Sequence, residues 1–224
     1  MNIGYHVIKD FERADQSLID SFTGVPVPNI GDAMNRSAAI SSAIRPINHT
    51  RLQGSAYTVR VQAGDNLLIY YAIDNAKPGD VIVVDGNGFT ERALIGGIMS
   101  EFAKAKGIAG IVIDGAVRDP RDLENMDFPV FYKAINPNGP YKNGPGEINV
   151  PVNIGGKIVK PGDILIGDED GLVVIDPKNA LEISIKAHEV MKKEEKMVQS
   201  IREKGQLDID WVYKKLKEDG CTFE

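Results

Sequence analysis

Two short pieces of this 224-residue chain carry residue types suited to handling negative charge: the glycine pair Gly96-Gly97 and, after twenty intervening residues, Arg118-Asp119. The first opens GGIMSEFAKAKG, where Ile98, Met99 and Phe102 recur at helical spacing and Lys104, Lys106 and Gly107 mark a C-terminal end. A glycine in a helix interior costs about 1 kcal/mol relative to alanine, so two together belong in a first turn or at a close packing contact. In a first turn, the unpaired N–H groups near Gly97, Ile98 and Met99 form an anion site aided by the helix dipole. At a packing contact, the pair simply lets the helix approach a sheet. The helix pattern alone allows both.

Arg118 and Asp119 also carry two readings. They follow an apolar run, which places them at the end of a strand, where ligands collect in open α/β sheets. Yet DPRD also reads as a helix start, with Asp119 as N-cap, Pro120 at the first helical position and Asp122 in the first turn. Arg118 would then be a surface ion-pair partner worth under about 1 kcal/mol. No other nucleophile or metal motif competes: His6, His49 and His188 are scattered, and Cys221 is the sole cysteine, without a disulfide partner.

The elements that must position these groups are legible in the hydrophobic pattern. Residues 13–22 and 29–38 read as short helices, the second with Asn29 or Asp32 available for capping. Ser55 to Gln62 alternates at period two, as a half-buried strand does, and a helix opens near Asp65 or Asn66 and closes at Pro78-Gly79. DVIVVDG (80–86) and IAGIVIDG (108–115) are continuous apolar runs separated by the Gly96 helix. Strand, helix, strand of this kind predicts a parallel βαβ unit covered on both faces. FPVFYKAINPNGPYKNGPGEINVPVNIGGKIVKPGD is rich in Pro, Gly and Asn, which predicts antiparallel strands and turns. Two further buried strands flank the turn 168–171, an amphipathic helix runs from about Pro177 to Lys204, and a last helix covers about Ile209 to Glu218. The whole reads as one α/β domain, with its core at about 13–176 and a helical extension at about 177–224.

Composition bounds the function. At 42% hydrophobic and 26% charged residues the chain is an ordinary globular protein, long enough for one substantial core. A net charge of −6 and an isoelectric point near 5.2 argue against a nucleic-acid surface. No apolar run is long enough for a membrane span, and the N-terminus lacks a signal-type apolar region, so the expected location is cytoplasmic.

The glycine pair and Arg118-Asp119, embedded in KAKGIAGIVIDGAVRD, resemble the family that includes the regulator of ribonuclease E activity A and the class II pyruvate aldolases. Those aldolases act on 4-hydroxy-4-methyl-2-oxoglutarate and 4-carboxy-4-hydroxy-2-oxoadipate. KPGDVIVVDG (77–86), PVNIGGKIVKPGDILIGDEDGLVVI (151–175) and LDIDWVYKKLKEDG (207–220) extend the likeness over most of the chain. The resemblance implies a swivelling α/β/β/α-type fold, assembled as a trimer or dimer of trimers with sites between subunits. It implies that the backbone from Gly96 and Gly97 to Ile98 and Met99 binds a pyruvyl carboxylate. Arg118 would contact the C2 carbonyl oxygen, and Asp119 would ligate Mg²⁺ or Mn²⁺. The substrate would be a small 2-oxoacid cleaved to a pyruvate enolate, with oxaloacetate decarboxylation as a companion reaction. Chemically, a hard cation and a permanent guanidinium suit an enolate whose charge develops in the transition state.

One departure stands out. Many aldolase members carry an acid at the position of Gly97, and here it is missing. Asp114 or Glu101 are candidate replacements, as is an acid from the neighbouring subunit, which falls at Glu194 or Glu195. The alternative function the family implies is non-catalytic restraint of a ribonuclease E-like partner. A methyltransferase reading, also attached to some members, lacks its glycine-rich loop here.

Overall fold

The computed structural model describes residues 4–222. In chain order its elements are β1 (Tyr5–Val7), α1 (Gln16–Asp20), α2 (Val27–Ala33), β2 (Arg45–Pro46), β3 (Leu52–Val61), α3 (Leu67–Asn75) and β4 (Asp80–Asp85). There follow β5 (Ala93–Ile95), α4 (Gly97–Ala105), β6 (Gly110–Val117), α5 (Pro120–Glu124) and β7 (Val130–Ile135). The C-terminal part comprises β8 (Gly146–Ile148), β9 (Val152–Ile154), β10 (Lys157–Val159), β11 (Ile164–Asp168), β12 (Gly171–Ile175), α6 (Pro177–Lys204) and α7 (Asp210–Glu218).

The main sheet runs β1-β8-β3-β4-β6-β7-β2, with β3, β4, β6 and β7 mutually parallel. Their near-continuous apolar sequences follow from burial on both faces. Along β4, Ile82 and Val84 face one core together with α3 and α4, whereas Val81 and Val83 face a second core containing Val152, Ile154 and Leu165. The β11–β12 ribbon has the same two-sidedness. Leu165 and Leu172 join that second core, while Ile164, Ile166, Val173 and Ile175 pack against Ile19, Phe22, Ile30 and Ala180 of the α1, α2 and α6 region. Period-two alternation on two successive β layers therefore yields four layers, helix, sheet, sheet, helix, as the α/β/β/α expectation requires.

Several local expectations are corrected. The strand 130–135, expected among antiparallel pieces, lies parallel to β6, with Ile111 opposite Val130 and Ile113 opposite Tyr132. Pairing direction is set by the crossover through α5, which the turn-rich composition downstream concealed. The helix expected at 29–38 begins at Val27 behind Pro26, without a side-chain cap from Asn29 or Asp32. Helix α6 matches its expected bounds because both ends are locally coded: the Asp176 carboxylate accepts from Lys178 N at 3.0 Å, and Gly205 closes the helix at φ 66°. Among the described residues no helix is long and apolar enough to cross a membrane.

Candidate functional site

The glycine pair and the Arg-Asp pair are joined by a strand that periodicity did not reveal. The three-residue β5 lies parallel to the end of β6, placing Ile95 opposite Val117, and Arg118 N donates to Ile95 O at 3.0 Å. The residues following each strand are therefore neighbours: Gly96-Gly97 at the start of α4 and Arg118-Asp119 at the start of α5. Both lie at the C-terminal edge of the parallel strands, where loops and helix N-termini converge.

Asp119 does sit at the N-cap position of α5, ahead of Pro120, yet it makes no capping bond. Its backbone is left-handed, φ 57° and ψ 49°, a conformation that Asp tolerates better than most residues. Its Oδ2 instead accepts the Gly97 N–H of the neighbouring helix at 3.1 Å, with Arg118 Nε 3.5 Å from the same oxygen. The Gly97 amide is thus already engaged, which corrects the expectation of a wholly free first turn. The ladder of α4 begins with Ser100 N donating to Gly96 O at 3.1 Å, so the N–H groups of Ile98 and Met99 precede it and have no partner within the helix.

Gly96 is a point of close approach. A Cβ there would collide with Asp119 Oδ2 and stand 2.9 Å from Arg118 Cγ. Close approach at Gly96 is thus to Arg118 and Asp119 rather than to the sheet, and the helix starts just beyond it, at Gly97.

Two cavities meet at this point. One, of about 250 Å³, is lined by Gly96, Ile98, Met99, Arg118 and Asp119 together with Asn66, Tyr70, Gly139 and Lys142. The second, more open, is lined by Gly97, Ile98, Arg118, Asp119, Asp122 and Glu101. Ile98 itself is 82% exposed between them, an unusual state for an isoleucine.

Two functional candidates escaped the sequence. Asp122 borders the space a side chain on residue 97 would enter: a Cβ at Gly97 would lie 3.3 Å from Asp122 Oδ2. Its signal was the spacing Asp119 to Asp122, nearly one helical turn, which the N-terminal role of acids in α5 masked. Lys142 lies on a loop with no periodic pattern and faces the Tyr70 ring at 5.5 Å. Conversely, Asp114 does not replace the missing acid. It is nearly buried, takes Lys133 Nζ at 3.3 Å and Gly155 N at 3.0 Å, and belongs to the contact between β6, β7 and the β9–β10 hairpin. Glu101 does face the Asp119 cavity. Glu194 and Glu195 line a separate cavity against α2, where Asn29 Nδ2 donates to Glu194 Oε2 at 2.5 Å.

The donor chemistry suits a hard cation. Asp119, Asp122 and Glu101 bring carboxylate oxygens to one cavity, and Mg²⁺ typically takes one or two carboxylates and completes its shell with water and substrate. Among the described residues no cluster of three or more His, Cys, Asp or Glu could by itself enclose a metal, so such an ion would take its remaining ligands from outside this set.

A four-layer α/β protein with a helix start at a glycine pair beside an Arg-Asp pair is the class that fold and site define. The chain belongs to the RraA-like family, described as Aldolase/RraA, whose model matches residues 27–174. It is 41% identical over 164 residues, 73% of this chain and 78% of the other, to a Halalkalibacterium halodurans protein provisionally named 4-hydroxy-4-methyl-2-oxoglutarate aldolase. It is 38% identical over 125 residues, 56% of this chain and 76% of the other, to the Thermus thermophilus protein of that name. Among solved structures, Streptomyces coelicolor RraAS2, described as an unusual member of the RNase ES inhibitor RraA family, superposes with TM-score 0.74 at 28% identity, covering 83% of this chain and 98% of the other.

Proposed function

We propose that this chain is a divalent-metal-dependent lyase that releases pyruvate from a 4-hydroxy-2-oxoacid of the 4-hydroxy-4-methyl-2-oxoglutarate type, and that decarboxylates oxaloacetate. The observation that carries the reading is the junction of Gly97 N–H, Asp119 and Arg118 at the mouth of two confluent cavities. Aldolase-named relatives support the reaction class.

In the reaction, the C3–C4 bond breaks as the C4 hydroxyl loses its proton, and the bonding pair moves onto the pyruvyl half as an enolate. With oxaloacetate the same enolate forms as CO₂ leaves. Protonation at C3 then gives pyruvate. Asp119 would hold Mg²⁺ or Mn²⁺, which would supply Lewis acidity at the developing oxyanion. The Arg118 guanidinium, charged at every working pH, donates to that oxygen. The N–H groups of Ile98 and Met99 take the pyruvyl carboxylate, reinforced by the α4 dipole. Lys142, which lines the same cavity, takes the distal carboxylate. Asp122 holds the proton removed from the C4 hydroxyl, directly or through one water, in the place where other members carry an acid on residue 97. The assembly is a homo-oligomer, a trimer or dimer of trimers, in which Glu194 or Glu195 of a neighbouring copy borders the site. The exposure of Met197, Val198, Ile201 and Trp211 on α6 and α7 supports such an assembly.

The test is pyruvate release from 4-hydroxy-4-methyl-2-oxoglutarate and oxaloacetate with Mg²⁺, coupled to lactate dehydrogenase. Release that is abolished in R118A and by chelation is expected. No Arg118-dependent pyruvate from either compound would overturn the reading. The likeness to RraAS2 favours restraint of a ribonuclease E-like partner as the second reading. That activity would survive R118A and D119N, whereas lyase activity would not.

A further inference from the structure

Asp65 is 2% exposed and lines neither cavity, yet its carboxylate touches the supports of both walls facing α4. Oδ1 accepts Leu67 N at 2.9 Å and so starts α3, which carries Tyr70. Oδ2 accepts Asn143 N at 2.6 Å and Gly144 N at 3.0 Å, the end of the loop that carries Gly139, Pro140 and Lys142. Backbone bonds run alongside: Asn66 N to Tyr141 O at 3.0 Å, and Tyr141 N to Gly64 O at 2.8 Å. From the outer side Arg92 stacks on Tyr141 at 4.1 Å and donates to Gly139 O at 2.9 Å.

Among the described residues Asp65 makes no ion pair, so its buried charge is balanced by these three N–H dipoles. A carboxylate is the one common side chain that accepts on both oxygens without presenting a donor. An amide of the same shape would aim an NH₂ group at one of the two walls. The cost of burying a charge here is offset by joining two segments 76 residues or more apart, Asp65-Leu67 and Asn143-Gly144, around the open side of the cavity.

We infer that Asp65 is a positioning residue for the loop 139–144, which lines the cavity with Arg118, acting through Lys142 and thereby setting how tightly the site holds the distal carboxylate of a dicarboxylic 2-oxoacid. This rests on the reading of Lys142 given under the proposed function. The loop is short of apolar anchors: Lys142 and Tyr141 are exposed, so hydrogen bonds, rather than packing, hold Lys142 in register with Tyr70.

The test is a double-mutant cycle in the full chain with Mn²⁺, using D65N, K142M and D65N/K142M, with kcat and KM for oxaloacetate and the inhibition constant of pyruvate, which lacks a distal carboxylate. D65N is expected to raise KM for oxaloacetate about tenfold with kcat within about threefold, and to leave pyruvate inhibition within about threefold. The double variant should be no worse than K142M alone. Because Asp65 is buried, D65E runs in parallel. It keeps the charge but misplaces the acceptors, and the same KM shift is expected. Amide hydrogen exchange of residues 139–144 supplies a readout free of catalysis, expected to rise about tenfold or more in D65N while α4 is unchanged. Additive effects of D65N and K142M, an unchanged KM, or equal losses for oxaloacetate and pyruvate would overturn the inference. Should the wild-type chain release no pyruvate, the functional reading fails, and Asp65 is judged on exchange, where unchanged protection of the loop overturns its positioning role.

Discussion

Replacing Gly96 by alanine tests the site with a single methyl group. The backbone at Gly96 is extended, φ −155° and ψ −164°, which alanine adopts freely, so the substitution introduces no torsional strain. Its Cβ would overlap Asp119 Oδ2 and stand 2.9 Å from Arg118 Cγ and 3.2 Å from Arg118 Nε. Asp119 must retreat, and its bond to Gly97 N goes with it. A hydrogen bond to a charged group contributes about 1.5–3 kcal/mol. A shift of about 1 Å in a catalytic group costs on the order of 100-fold in rate. Both routes converge on a fall in kcat/KM of about 100-fold, equivalent to about 2.7 kcal/mol of transition-state binding. Gly97→Ala is the internal control: the nearest side-chain atoms to its Cβ belong to Asp122, 3.3 Å to Oδ2 and 3.4 Å to Cβ, contacts that relax by a few tenths of an ångström. Coupled pyruvate release, with thermal unfolding run on each variant, should show G96A crippled and folded and G97A within about tenfold of wild type. A folded G96A at wild-type kcat/KM, or G97A equally impaired, would refute the geometry.

Moving the acid back tests the role of Asp122: D122A should lose about tenfold to 100-fold in kcat, and G97D/D122A should recover a measurable part of it, as read by the same assay. Arg13 makes a bidentate pair with Asp80, both contacts at 2.8 Å, and Asp80 is 1% exposed. R13A leaves that carboxylate without its cation and should cost about 2–4 kcal/mol in urea unfolding, somewhat below the value for a fully buried pair because Arg13 is partly solvated. Tyr57 offers a pH test, since burial first, and the neighbouring Tyr71 second, push its phenol up to about 12. The fold favours the protonated form, so this stabilisation is complete below the unfolded value near 10 and declines as pH rises from there through 12, by about 1.4 kcal/mol per pH unit. Unfolding of Y57F followed from pH 9 to 12 should show a flatter decline than wild type.

The comparison of sequence and structure turns on distance along the chain. Helix α6, strand β4 and helix α4 were readable because caps, period and charge are local properties, resolved within a few residues of each end. The swivelled four-layer arrangement was legible only through family likeness. Alternation in β11 and β12 says that both faces are buried, not which core each face meets. The direction of β7 was hidden for a related reason: parallel and antiparallel strands share one side-chain period, and only the crossover distinguishes them.

By itself the sequence determined that a helix follows a glycine pair and that Arg118-Asp119 follows a buried strand. Tertiary structure alone decided what those residues do to one another. Pairing of Ile95 with Val117 brings Gly96 against Asp119, leaves no room for a methyl group, and diverts a would-be helix cap to the neighbouring helix. It also set Asp122 beside Gly97 and joined Asp65 to a loop far along the chain. The physical reason is that periodicity records burial and local hydrogen bonding, whereas a site is made by volume and register between segments the chain brings together only when the core closes.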